Sequence, residues 1–424
     1  MKPMTIIAIK HQLMQFFNDA LLEKMARRCG FTRRLRCLEP RLFILALIQV
    51  ISTGNITSIS HLHQQINGLM PEKKHRIQYR PFYNHLKKSA LTDFVKILVR
   101  FAIAQFVEKH VIPPPKKFQR IKNVLLQDGS SFKVHSALSG TFAYRFSPSL
   151  AAVECHMTLY LFTQVPTEMT ITADTASERA YLPAPEMLRD QLLLADAGYA
   201  DFAYFQQVSQ YGGSFIVRGG KSLNPLIIDA KNGQGKSLPK LRALKLKDIT
   251  RRKNRSEVLD LTCRRDGFEF RIIRRWVAEE RRYCLWLTNL SATEFTADDI
   301  MVVYRCRWQV ELLFNELKSH TNWRSYATRH KSIVENLIWL SLLGLLFRRS
   351  LARRLLPTVS LLKAANNTCI WLRPILSSVL QKAWSEIIFC LEEAKEYLSQ
   401  NAFKTPQRKV RKNMILDECF KQIN

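Results

Sequence analysis

The sequence predicts a mixed α/β protein whose sheet core carries a β-rich insertion and is flanked by helical regions at its N- and C-terminal ends. Three observations predict it. Apolar residues recur at a helical period up to about residue 112 and again beyond 330. Between these stretches, short apolar runs ending in Asp alternate with helical segments, the pattern of a sheet with packed helices. Residues 219–289 then carry the hairpin signals Asn232-Gly233 and Asp266-Gly267 beside alternating apolar positions.

Taken in order, helices are expected at 9–29, 39–52, 58–67 and 81–111. Arg27, Arg28, Arg33, Arg34 and Arg36, then Lys73, Lys74, Arg76, Arg80, Lys87 and Lys88, lie on and between them. A helical region with basic connectors suits DNA phosphates, so residues 1–117 are a candidate DNA-binding region, closed by the stiff Pro113-Pro114-Pro115 linker. A mixed sheet core is expected at 118–218 and 290–330. In it, strands are expected at 124–126, 157–165, 169–172, 192–195 and 215–217, and helices at 177–191 and 202–210. The insertion, 219–289, is basic: residues 240–289 hold 15 Lys and Arg against 7 Asp and Glu. Its Gly235-Lys236-Ser237 imitates the end of a phosphate loop, but Ala230 stands where the first glycine belongs, so a hairpin turn is expected. Residues 331–424 return to helices, with a basic stretch at 404–412.

Composition narrows the partners. Lys and Arg number 65 against 35 Asp and Glu, a formal net charge of +30, which makes a polyanion the first candidate. Hydrophobic residues at 47% and aromatics at 10% describe a packed chain and exclude a basic tail protein. Nine scattered cysteines without a C-x-x-C pair fit free thiols in a reducing, cytoplasmic setting and argue against structural zinc. No secretion signal opens the sequence. The apolar runs 42–51 and 333–347 are too short to cross a bilayer and read as core helices, so no membrane partner is expected.

Two apolar runs each deliver a carboxylate, Asp128 and Asp196, at the end of an expected strand. Further on, Tyr304 to Lys318 lacks Gly and Pro and reads as one helix. At about 100° per residue, Tyr304, Arg307, Glu311 and Lys318 share a stripe roughly 60° wide, bordered by an apolar seam. Glu316 falls about 120° from Tyr304, outside the stripe, and its replacement by Gln is expected to leave cleavage nearly intact. Three carboxylates from separate elements suit divalent metal ions, which can clamp the attacking and leaving oxygens of a phosphodiester displacement.

These residues resemble the DDE transposases of bacterial insertion-sequence family 4. That family's signature, Y-x2-R-x3-E-x6-K, is matched at Tyr304, Arg307, Glu311 and Lys318, and Leu287-Thr288-Asn289-Leu290 and Asp196-x-Gly198-Tyr199 are similar too. The resemblance implies a ribonuclease-H-like core with the β insertion between the second Asp and the Glu. It also implies that Asp128, Asp196 and Glu311 are catalytic and bind two Mg²⁺ ions, for which Mn²⁺ substitutes, while Tyr304, Arg307 and Lys318 hold DNA phosphates. Some members stack a flipped base on a Trp of the insertion; the aligned position here is Cys284, leaving Trp286 or Tyr283 as the aromatic candidate. The implied function is a transposase. It would bind terminal inverted repeats and target DNA, act as a homodimer in the synaptic complex, and work in the bacterial cytoplasm at the nucleoid. Two alternatives stay open: a related metal-dependent nuclease or resolvase without strand transfer, and a catalytically inactive DNA-binding regulator.

Overall fold

The computed structural model describes residues 5–32, 39–53, 56–107, 113–249, 257–321, 328–403 and 423. Arg33, Arg34, Arg36 and the basic stretch 404–412 lie outside the described residues.

The described residues up to 107 include the helices α1 (Ile6–Phe16), α2 (Asp19–Arg28), α3 (Pro40–Thr53), α4 (Ile59–Leu69), α5 (Tyr79–Leu86) and α6 (Ser89–Ala102). Local chemistry sets several starts. Thr5, Asn18 and Ser58 each accept a first-turn backbone N–H, which satisfies donors that have no partner inside the helix. The Asn18 cap also explains why the single helix expected over 9–29 is two: the chain leaves helical geometry at Phe17 and restarts behind Asn18.

Ten strands follow, in one sheet: β1 (Asn123–Val134), β2 (Ala143–Tyr144), β3 (Ser147–Tyr160), β4 (Val165–Ala173), β5 (Gln191–Ala195), β6 (Ser214–Arg218), β7 (Leu226–Asn232), β8 (Leu259–Arg265), β9 (Phe268–Val277) and β10 (Arg282–Thr288). The order is β2-β3-β1-β5-β6-β10-β9-β8-β7, with β4 on β3. β1, β5 and β6 are parallel, and the other pairs are antiparallel. The strands of the insertion therefore extend the core sheet, joined to it where Leu287 of β10 faces Val217 of β6. The 235–237 segment is a turn, with Gly235 at φ +81° and Lys231 bridged to Ser237.

Helix α7 (Phe202–Gln210) packs on one face of the sheet, with Phe205 stacked on Phe215 at 4.3 Å between ring centroids. α8 (Ala297–Arg305) and α9 (Trp308–His320) lie on the other, and α10 (Lys331–Leu355), α11 (Leu361–Asn366), α12 (Thr368–Gln381) and α13 (Glu386–Asn401) follow among the described residues. The runs 42–51 and 333–347 sit in α3 and α10. Both are buried almost all round, as helices apolar on every side must be. Among the described residues no helix is long and apolar enough to cross a membrane.

The two terminal helical regions share one core. Arg41 of α3 donates to the carbonyls of Val379 and Leu380 at 2.8 and 3.1 Å, and Thr92 of α6 donates to Asn336 of α10 at 2.6 Å. Gly344 lets α10 approach α3 closely, since a methyl there would overlap the Ser52 hydroxyl. Gly344→Ala is therefore expected to cost about 1–3 kcal/mol by overpacking, seen as a lower denaturant midpoint at unchanged slope.

Other local expectations also differ from the structure: the helix expected over 81–111 stops at Leu86 and restarts at Ser89, and the strand expected over 157–165 is interrupted between Tyr160 and Val165. β1 does not turn after Asp128 but continues through Gly129, Ser130 and Ser131 to Val134, because β3 pairs with it along its length, from Leu125↔Tyr160 to Val134↔Ala151. The helix expected over 177–191 is two short helical turns, Glu178–Tyr181 and Pro185–Leu188, because Pro183 and Pro185 push the residues before them out of helical geometry. The helix over 304–318 is broken at Cys306 and Arg307. There Cys306, Arg307, Gln309 and Val310 each donate to the carbonyl three residues back, a tighter turn than an α-helix makes.

Candidate active site

The parallel register of β1 and β5 sets the site. Gln127 faces Ala195, so Asp128 and Asp196 are the next residues on adjacent strands and point to the face covered by α8 and α9. Asp128 lies inside β1, and Asp196 follows the last residue of β5. Glu311 comes from the first turn of α9.

One guanidinium links these parts. Arg307 Nη1 is 3.2 Å from Asp128 Oδ2, and its Nη2 donates to Glu311 Oε1. The Tyr304 hydroxyl lies 3.4 Å from Asp196 Oδ1, at the long limit of a hydrogen bond. Lys318 Nζ donates to the carbonyl of Ser131 at 3.0 Å, securing α9 to β1 beyond Asp128. The break between α8 and α9 thus leaves all four residues of the polar stripe over the sheet edge of the carboxylates.

The electrostatics are unbalanced toward negative charge. Burial pushes the Asp128 carboxyl up to about 7; Arg307 pulls it down, while Glu311 and Asp196 push it further up. Burial also raises Glu311, against the pull of Arg307 and with a contribution from Asp196. For Arg307, burial works to lower the pKa, but Tyr304, Asp128, Glu311 and Asp196 outweigh it and keep the group above its ordinary range. Arg307 therefore stands among three carboxyl groups. Such a donor set of hard oxygens fits a divalent cation. Among the described residues, however, no group of three or more His, Cys, Asp or Glu side chains is gathered so as to hold a metal ion. The Arg307 guanidinium bonds Asp128 and Glu311 instead.

Residues 119–347, more than half of the chain and the span that contains all three carboxylates, match the model of the transposase DDE domain. The chain belongs to the DDE transposase family. Its fold is similar to a solved piggyBac transposase, described as a synaptic complex with hairpin DNA by cryo-electron microscopy, at 11% identity and a TM-score of 0.50, covering 96% of this chain and 88% of that one. No curated protein matches.

In this DDE transposase the aromatic candidates of the insertion are covered. Trp286 is 6% exposed, with the Arg218 guanidinium 4.8 Å from its ring centroid and Tyr304 edge-on at 6.4 Å. Tyr283 lies under Arg274 at 3.8 Å and against Trp276. Sequence reasoning passed over Arg218. It ends β6 as Asp196 follows β5, since Val217 faces Ala195, and Glu280 holds it at 2.7 Å. The signal was present: 215–217 is the third apolar run of the core, and the residue that ends it is a cation.

Glu316 lies off the polar stripe, but it is not a neutral position. It is 4% exposed, and its two oxygens receive Arg348 and Arg349 of α10, each at 2.6 Å. This pairing bears on the fold and not on cleavage: Glu316 faces the helical layer, where the neutral amide of Glu316→Gln would leave two buried guanidinium groups short of a charge.

Proposed function

We propose that this transposase binds the terminal inverted repeats of its element, cuts phosphodiesters using two Mg²⁺ ions, and joins the freed 3′-OH ends to target DNA. The observation that carries the proposal is Arg307 joining Asp128 of β1 to Glu311 of the covering helix, beside Asp196, which holds the matching position on the neighbouring parallel strand. Two parallel strands with a carboxylate helix across them also support a ribonuclease-H-like core. Asp128, Asp196 and Glu311 would hold the metal ions, with Mn²⁺ able to replace Mg²⁺; when bound, the ions supply an activated attacking oxygen and neutralise the leaving one. Arg307 suits a bidentate phosphate contact, Lys318 a point-charge contact and Tyr304 a donated hydroxyl, which together would fix the scissile strand. Trp286 is assigned to DNA contact as well, which requires Arg218 to leave its ring.

The net charge of +30 supports DNA as the partner, with the 1–117 region as the end-binding part. A homodimer, one protomer per element end, acting at the nucleoid completes the proposal. The test is a paired-end assay: purified protein, Mg²⁺, linear DNA bearing both repeats, and a supercoiled target. Joined products that disappear with Asp128→Ala are expected. Cutting without joining would mark a nuclease, and absence of cutting with equal DNA binding by wild type and Asp128→Ala would mark a regulator.

A further inference from the structure

We infer that the metal site of this protein is closed in the absence of DNA by its own Arg307, and that a DNA phosphate opens it by taking the guanidinium away. The inference rests on the proposed two-metal reading and adds an order of events: nucleic acid first, metal second. Three observations carry it. Arg307 bonds Asp128 and Glu311, two of the three carboxylates that would hold the metal. Among the described residues the carboxylates form no metal-holding group. The Arg307 side chain is only 13% exposed and its Nε is buried without a hydrogen-bond partner, so the guanidinium is incompletely satisfied where it sits.

A phosphate oxygen pair can satisfy the planar fork that Asp128 and Glu311 now share. Transfer of Arg307 to phosphate would leave two carboxylates beside Asp196 without their cation, and a divalent ion is then the favoured replacement. By linkage, DNA and metal must tighten each other's binding by the same factor. The geometry of the break between α8 and α9 serves this exchange. Arg307 stands on the tight turn before α9, whereas Glu311 is fixed inside the helix, so the cation can move without displacing the ligand.

The experiment titrates the full chain with Mn²⁺ and reads free Mn²⁺ by electron paramagnetic resonance, with no turnover needed. Wild type without DNA is expected to bind weakly, and a short generic duplex is expected to tighten it. Arg307→Gln is expected to bind at least about tenfold more tightly than wild type without DNA, because it removes a competing buried cation, and to gain little from the duplex. Adding Asp128→Asn to Arg307→Gln should remove the gain. If free wild type binds Mn²⁺ as tightly as Arg307→Gln, with Asp128→Asn weakening both, the site is preformed; the closure is then wrong while the two-metal reading stands. If Asp128→Asn changes nothing and no form binds Mn²⁺ with or without duplex, the two-metal reading falls and the closure with it. Should Arg307→Gln fail to fold, as judged by circular dichroism, wild type with and without duplex decides: equal Mn²⁺ affinity overturns the proposal.

Discussion

Under the proposed two-metal reading, Glu311→Gln is expected to remove cleavage of repeat-bearing DNA, by on the order of a thousandfold or more, because several kcal/mol of metal-borne transition-state stabilisation would be lost. The melting temperature stays within a few degrees of wild type. Glu311 is half-buried in the first turn of α9, and its Arg307 partner keeps Asp128 at 3.2 Å when the carboxylate becomes an amide. Deleting one of three crowded carboxyls also relieves repulsion on Asp128. Cleavage measured on labelled end fragments, beside a thermal melt of the same preparation, checks both halves. A variant that melts early and cuts slowly would mean Glu311 is a packing residue, and a variant that cuts normally would remove it from the metal set.

Glu316→Gln gives the opposite pattern: the fold weakens first. Breaking a buried ion pair from one side typically costs about 3–5 kcal/mol, and here one carboxylate serves two arginines. Burial works to raise the folded Glu316 carboxyl, but Arg349 and Arg348 outweigh it and hold it down at about 2, against about 4.3 for an unfolded glutamate. Since the folded value is the depressed one, this contribution is complete above about pH 4.3 and is lost as the pH falls toward 2. Denaturant midpoints of wild type and Glu316→Gln should therefore lie far apart at neutral pH and converge in acid. Equal midpoints at pH 7 would show the triad to be stabilising nothing.

The parts of the site that could be read in the sequence are those fixed by short-range pattern. The run Leu192-Leu193-Leu194-Ala195 is a buried strand wherever it is placed, so Asp196 at its end and α7 behind it were legible. The apolar seam of 303–317 likewise fixed which side of the chain carries Tyr304, Arg307 and Glu311. What escaped depended on residues far away in sequence. Gly129-Ser130-Ser131 favours a turn by itself, and only the ladder with β3 straightens it. A helical angle placed Glu316 away from the polar stripe, but could not show that α10 returns 32 residues later with two arginines facing it. Likewise, Trp286 looked available for stacking until the register of β10 on β6 set Arg218 over its ring.

The seam between β6 and β10 makes the basic strands and the carboxylate strands one continuous sheet. The same continuity makes the outer strands indispensable. Without β10, the wholly buried Phe215, Ile216 and Val217 of β6 would form a bare edge, ready to pair with another chain.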